Sequence, residues 1–195
     1  IHQEAELVQA AGSAHAHTVL VTLQDLTRLR RAEDAVQTLS YFESATGLPN
    51  RRHLLEQLSI ALKDRKPGIA LCVAAFRVHG LDRIAQAHGA ELADKLLSEA
   101  ARQIGEHLAE AGTGGTLLKQ ANTARVCRTS EAGLAMLIHS REPVEHLPDL
   151  ICTALARVSG QPTNLGTEYL PAVSAGIALV DGDMTGAEQL LTNAQ

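Results

Sequence analysis

Aromatic residues are nearly missing from this 195-residue chain: Tyr41, Phe42, Phe76 and Tyr169 are the full set, and there is no tryptophan. A protein that stacks single-stranded nucleic acid needs aromatic platforms, so that class is excluded. Basic excess is missing too. The net charge is -5, which argues against any nucleic-acid surface. No apolar run approaches the ~20 residues of a membrane helix, so the segment is not membrane-embedded. Ile1-His2-Gln3-Glu4 lacks the basic-then-apolar order of a secretory leader, and the absence of an initial Met is what a piece of a longer protein would show. Cys72, Cys127 and Cys152 are odd in number, far apart and without a Cys-x-x-Cys pair. They read as reduced core residues of a cytoplasmic protein rather than disulfides or metal ligands.

What is abundant is aliphatic. The chain is 45% hydrophobic, and its core must be built from Ala, Leu, Val and Ile. At this length roughly 70% of the unfolded chain's surface can be buried, enough for one domain and an appendage.

Glu4 to Ala10 and the β-rich Ala16 to Leu23 flank Ala11-Gly12-Ser13-Ala14 and read as a hairpin. A lone hairpin is marginal in water, so it is expected to close a larger sheet or to pack on a partner. Asp25-Leu26-Thr27 opens a helix in which Leu29, Ala32, Val36 and Leu39 follow the 3-4-3 spacing of a coiled-coil seam. That stripe fits either a helix packed on its own domain or a dimeric signalling helix. Thr46-Gly47-Leu48-Pro49-Asn50 breaks the pattern, and Asn50 is placed to cap a helix carrying Leu54, Leu55, Leu58 and Leu62.

Ile69 to Phe76 is a continuous apolar run of strand length, expected to be a central buried strand. Helices follow across about 81–87 and 90–110, the second with Leu92, Leu96, Leu97, Ala100, Ile104 and Leu108 on one face. Gly112-Thr113-Gly114-Gly115 has no Gly-Lys-Ser/Thr closure and is no phosphate loop. Strands are expected at Thr116–Lys119, Arg125–Arg128 and Leu134–His139, then a helix at 146–158, a strand over Tyr169–Val180 and a helix from Gly186. The order indicates a layered α/β (α+β) domain, a mixed sheet flanked by helices. A Ser-His-Asp arrangement on a nucleophile elbow is not present; Ser174-Ala175-Gly176 lies inside a strand.

Asp25-Leu26-Thr27, Ala32-Glu33, Leu39-Ser40-Tyr41 and above all Thr46-Gly47-Leu48-Pro49-Asn50-Arg51-Arg52 resemble the junction of a PAS domain, a signalling helix and a GGDEF domain. Ile84, Gly89 and Asp94, and later Val173-Ser174-Ala175-Gly176-Ile177-Ala178, match the same family. The resemblance divides the chain into the end of a PAS-like sensor (1–27), a linker helix (28–42) and a GGDEF domain (43–195), with a nucleotidyl-cyclase-like fold.

GGDEF domains are diguanylate cyclases and their inactive relatives. The resemblance implies two protomers, each holding one GTP, with Mg²⁺ bound by carboxylates and glycines that let backbone N–H groups approach phosphate. Aligned through Ile84 and Gly89, the family's first metal-binding Asp falls on Arg77, a second acidic position on His79 and the guanine-contacting Asn on Ala85. The guanine-contacting Asp is retained as Asp94. Aligned through Arg128, the signature becomes Ser130-Glu131-Ala132-Gly133-Leu134, without its glycine pair or its adjacent acids. The product-inhibition motif becomes Ala121-Asn122-Thr123-Ala124.

These substitutions imply a domain that is not an enzyme, with no metal and no cofactor, and with at most a vestigial nucleotide site at Asp94 and Arg77. Three roles follow as expectations. The first is a regulatory and dimerisation relay in a bacterial cyclic-di-GMP signalling protein, upstream of an EAL domain that could carry phosphodiesterase activity. The second is a GTP-binding allosteric sensor that activates such a phosphodiesterase. The third is a protein-docking platform, as in pilus and motility regulators, using apolar surface near Leu134 or a homodimer contact through Leu29, Ala32, Val36 and Leu39. Glu43 is expected to pair with Arg51 or Arg52 and so fix the linker to the domain. The histidines other than His79 and His88 are expected at the surface.

Overall fold

A computed structural model describes residues 2–6, 20–24, 40–65, 68–111, 126–140, 144–160, 163–164, 168–180 and 186–195. They fall into two compact units, Ile1–Ser40 and Tyr41–Gln195. In the first unit, β1 (His2–Glu6) pairs antiparallel with β2 (Leu20–Gln24), His2 opposite Gln24 and Glu6 opposite Leu20. The two strands overlap the expected Glu4–Ala10 and Ala16–Leu23 at their outer ends, and the Gly12-Ser13 turn lies outside the described residues. The seam positions Leu29, Ala32, Val36 and Leu39 lie outside the described residues, as do Thr116–Lys119, Ala121 and Ala124.

The second unit is built on one sheet in the order β4-β5-β3-β8. Its strands are β3 (Ala70–His79), β4 (Cys127–Arg128), β5 (Gly133–Ser140) and β8 (Ala172–Leu179). All three pairings are antiparallel. The sheet is therefore not the mixed one expected; the sole parallel pairing among the described residues is an isolated bridge between Asn50 and Arg128. A small separate ribbon joins β6 (Thr163–Asn164) to β7 (Glu168–Tyr169). Leu170 and Pro171 separate β7 from β8, where a single strand was expected. Proline has no N–H for the ladder, so the strand restarts at Ala172.

Among the described residues, five α-helices pack with the sheet: α1 (Arg51–Lys63), α2 (Leu81–His88), α3 (Ala90–Ala111), α4 (Leu147–Gly160) and α5 (Ala187–Ala194). β3 is apolar on both faces because both faces are covered. Cys72, Ala74, Phe76 and Val78 point into one core with Leu97, Ile104, Leu108 and Ile151. Leu71, Val73 and Ala75 point into a second core with Leu54, Leu58, Leu190 and Leu191. Leu134 is fully buried in the first of these, so it offers no apolar surface for docking. Its place in the strand after Gly133 turns it inward, towards Phe76, its cross-strand partner.

Two further expectations are corrected here. Cys72 and Cys127 are buried, but Cys152 is exposed on the outer face of α4. His107 is not a surface residue, since only 11% of its side chain is exposed. It lies one turn beyond the buried Gln103, so the helical period carries it onto the covered flank of α3.

Candidate functional site

On the face of β3 that carries Arg77 and His79, the cover ends before the strand does. Burial along the strand is continuous to Phe76 and then alternates, leaving Arg77 and His79 exposed on either side of the buried Val78. Gly80 follows with φ +82°, a left-handed conformation that lets the chain turn directly from β3 into α2. The Tyr169 hydroxyl donates to the His79 carbonyl at 2.7 Å and holds this turn from the β7 side. His79 Nε2 lies 2.9 Å from Ser174 Oγ, across to β8.

Opposite this strand end is the β4–β5 hairpin. Thr129 N–H donates to Gly133 O at 2.9 Å and Val78 N–H to Ala132 O at 2.9 Å, so the hairpin is tied both to itself and to β3. The sheet register places Gly133 directly opposite Arg77. On its other side Arg77 is opposite Ser174.

Between the hairpin and helices α2 and α3 lies a cleft of about 830 Å³. Arg77, His79, Asp82, Asp94, Arg128 and Glu131 supply its charged and titratable wall, and Leu81, Ala85 and Ala93 its apolar one. Arg77 and Asp94, singled out from sequence, therefore do share one cavity. Their states differ. Arg128 Nη1 donates to Asp94 Oδ1 at 2.9 Å, with only 14% and 23% of the two side chains exposed. The Arg77 guanidinium makes no hydrogen bond or ion pair with any described residue.

Of the signature positions, Ser130 and Glu131 are exposed, Ala132 and Gly133 are half-buried and Leu134 is buried. Among the described residues, no three His, Cys, Asp or Glu side chains converge as metal ligands would.

The Thr46–Asn50 turn is fastened to the same hairpin. Gly47, at φ +68°, donates to Glu43 O at 2.8 Å, and Glu43 N–H donates to Leu48 O at 2.8 Å. Arg128 N–H donates to Pro49 O at 2.7 Å. Asn50 Oδ1 accepts from His53 N–H at 3.0 Å and caps α1, as its sequence position indicated. The expected pairing of Glu43 with Arg51 or Arg52 is not formed. Glu43 Oε2 lies 3.9 Å from Arg128 Nη1. Arg51 makes a two-pronged pair with Glu188 on α5, at 3.0 and 2.7 Å. Arg52 lies over the Tyr41 ring at 5.6 Å. The geometric reason is that α1 begins at Arg51, and its first turn faces the start of α5 rather than Glu43.

The sequence reading used Arg128 only to set a register. Its role as the cation shared by Asp94, Glu43 and the carbonyl of Ser130, which accepts from Arg128 Nε at 3.2 Å, was missed. The signal was available: one arginine beside the hairpin and two acids flanking the motifs around it. Tyr169 was also missed, because contact between β7 and the β3 turn depends on topology rather than spacing.

A four-stranded antiparallel sheet with helices on both faces, and a cleft at the strand ends facing a hairpin, defines a nucleotidyl-cyclase-like α/β domain. The chain belongs to the GGDEF family (diguanylate cyclase, GGDEF domain), which it matches over residues 40–195. No curated protein matches the sequence. Among solved structures, it resembles the coiled coil and GGDEF domain of DgcB from Caulobacter crescentus in complex with c-di-GMP, with TM-score 0.65 at 17% identity, covering 87% of this chain and 84% of that one. The FimX GGDEF domain from Pseudomonas aeruginosa gives TM-score 0.59 at 19% identity, covering 79% and 88%. The S helix-GGDEF-EAL protein LapD from Vibrio cholerae, bound to c-di-GMP, gives 0.58 at 16% identity, covering 87% of this chain and 36% of that one. These likenesses establish the fold. No helix among the described residues is long and apolar enough to cross a membrane.

Proposed function

We propose that this GGDEF domain does not form cyclic di-GMP and acts as a regulatory and dimerisation relay in a cytoplasmic, bacterial cyclic-di-GMP signalling protein. In this reading residues 1–27 are the end of a PAS-type sensor and 28–42 a signalling helix that pairs two copies. Residues 43–195 pass the signal to an EAL or other output domain. The observation that carries it is the register of Arg77 opposite Gly133. By the family resemblance, a cyclase carries its Mg²⁺-binding carboxylates at the positions of Arg77 and, next to Gly133, Ala132. Here a guanidinium faces a residue with no side chain, and Ala132 adds only a methyl group.

Mg²⁺ takes oxygen ligands, and Arg77, Ala132 and Gly133 provide none from their side chains, so the residues present do not suit the ion. Asp94 is also compromised as a base-reading group, because its Oδ1 already accepts from Arg128. The relay accordingly lies in the pieces that do converge: Arg128 gathers the Glu43 turn, helix α3 and the hairpin around one cation.

The cleft itself favours one second reading, a GTP-binding allosteric domain, since a cavity of about 830 Å³ persists with Arg77 at its rim. A protein-docking platform is the third. Calorimetric titration with GTP and Mg²⁺, with a parallel assay for cyclic di-GMP, separates them. The relay reading expects neither binding nor product. Micromolar binding without product transfers the case to the allosteric reading. Product of any amount overturns the proposal.

A further inference from the structure

Arg128 separates two cavities. On one side is the cleft, whose wall it shares with Asp94. On the other is a cavity of about 450 Å³ lined by Glu43, Asn50, Arg51 and Arg52. One carboxylate from each cavity reaches the same guanidinium nitrogen. Arg128 Nη1 lies 2.9 Å from Asp94 Oδ1 and 3.9 Å from Glu43 Oε2. The first contact is a hydrogen bond and the second is not. Nε is committed elsewhere: it donates to the Ser130 carbonyl at 3.2 Å, which keeps the head on its own hairpin.

The two carboxylates sit on different elements. Asp94 belongs to α3. Glu43 is tied into the turn that leads the chain into α1. Its N–H donates to Leu48 O, its carbonyl accepts from Gly47 N–H, and Asn50 N–H donates to Tyr41 O, each at 2.8 Å. A second shared donor spans the same joint. Ser98 Oγ, one turn along α3 from Asp94, lies 2.9 Å from Asp94 O and 3.2 Å from Thr46 O. A hydroxyl has a single proton to divide between them. The joint between the entry turn and α3 is thus built from donors that each face two acceptors.

We propose that Arg128 is a two-position latch between the chain-entry turn and helix α3. In this structure it is held by Asp94. A shift of the turn by about 1 Å towards the hairpin brings Glu43 to hydrogen-bond distance, and Arg128 passes from Asp94 to Glu43. The exchange trades one ion pair for another, so it costs less than breaking a pair outright. Asp94 leads at rest because it is the more enclosed carboxylate, 23% exposed against 42% for Glu43, and loses more when left unpaired. The coupling is reciprocal: whatever draws Arg128 to Glu43 loosens Asp94, and whatever removes Asp94 strengthens the hold on Glu43. The latch rests on the relay reading above and supplies its moving part. Displacement of the entry turn is read out as release of the start of α3, with no ligand needed.

The test is amide hydrogen exchange on the full chain, read at Glu43, Gly47 and Asn50, whose N–H groups close the entry turn. Asp94→Ala sends Arg128 to Glu43 and is expected to slow exchange at Glu43 and Gly47 about two- to fivefold, the size of one partly exposed ion pair. A merely structural role for Asp94 gives the opposite sign, because losing a contact speeds exchange. Asp94→Asn, the milder change, is expected to act in the same direction by a smaller factor, and it carries the test where the alanine variant fails to fold. Adding Glu43→Ala or Arg128→Ala to Asp94→Ala is expected to remove the slowing. Unchanged or faster exchange in the folded Asp94 variants overturns the latch, as does slowing that survives Glu43→Ala. A cyclic-di-GMP product overturns the relay reading instead and leaves the exchange pattern as it is, so the two failures are distinguishable.

Discussion

Among the described residues, Arg128 and Asp94 form the most enclosed ion pair, joined at 2.9 Å between the β4 edge and helix α3. The same guanidinium reaches the Ser130 carbonyl at 3.2 Å and lies 3.9 Å from Glu43. Removing Arg128 leaves a mostly covered carboxylate without its cation and frees the Glu43 turn from the hairpin. Arg128→Ala is expected to destabilise the domain by about 2–4 kcal/mol, between the costs of breaking exposed and fully buried pairs. Asp94→Asn keeps an acceptor for Arg128 and is expected to cost about 1 kcal/mol. Urea unfolding of both single variants and the double variant measures the coupling; additive losses would show that the two residues act independently.

The Arg51–Glu188 clamp joins α1 to α5 at their first turns and is solvent-exposed, with 43% and 69% of the side chains accessible. The Arg51 hydrogen bond, then its charge, holds the Glu188 carboxyl below the ordinary glutamate range. A carboxylate with a depressed folded-state pKa contributes stability above its unfolded value, and loses it as pH falls through the folded value. Glu188→Gln is therefore expected to lower the melting temperature slightly at neutral pH and low salt. The gap from the parent protein should close below the carboxylate range and in high salt. A gap that stays constant across pH would mean that the charge of Glu188 contributes nothing.

The apolar elements were legible because burial leaves a period. The run from Ile69 to Phe76 gave β3, and the Leu92 to Leu108 stripe gave α3. Asn50 declared its cap by residue type alone. What escaped were relationships set by the third dimension. Glu43 was matched to the arginines nearest in sequence, but chain reversal at Gly47 brings it to Arg128 instead. Ser174 was dismissed as a strand residue, and only the sheet register shows it opposite Arg77 and within 2.9 Å of His79. Arg77 and Asp94 line one cleft, because a gapless stretch of strand, turn and helix keeps sequence spacing and spatial spacing aligned. The state of Asp94 was not readable, since its partner lies 34 positions downstream on another element.

Gly176 shows how closely α5 lies against the sheet edge. A Cβ at this position would be 2.2 Å from the carbonyl oxygen of Ala194, a backbone atom that cannot swing aside. Gly176→Ala must push the end of α5 away from β8 and disturb Leu190 and Leu191, both fully buried. Overpacking of this kind is expected to cost about 1–3 kcal/mol. For a chain of this size that corresponds to a fall of roughly 2–10 °C in melting temperature. Gly160→Ala, at the end of α4 with no atom in the way, serves as the control and is expected to be near neutral. Equal effects of the two would remove the close approach of α5 as the cause.

The thiols differ in environment enough to report on folding. Cys72 sits in β3 with no solvent exposure, and burial pushes its thiol up to about 12. Cys127 is likewise buried, at 2% exposure, whereas Cys152 is exposed on α4. The thiolate is the reactive species, and a reagent must also reach the sulfur. The native protein is therefore expected to take up a maleimide quickly at Cys152, with Cys72 protected by both its ionisation and its burial. Cys152→Ser should abolish the fast phase without changing the far-ultraviolet spectrum. In denaturant Cys72 should react as well, so the rate of its labelling under native conditions measures how often the sheet core opens. Rapid modification of Cys72 in the folded Cys152→Ser variant would mean that β3 is not the closed centre of the domain.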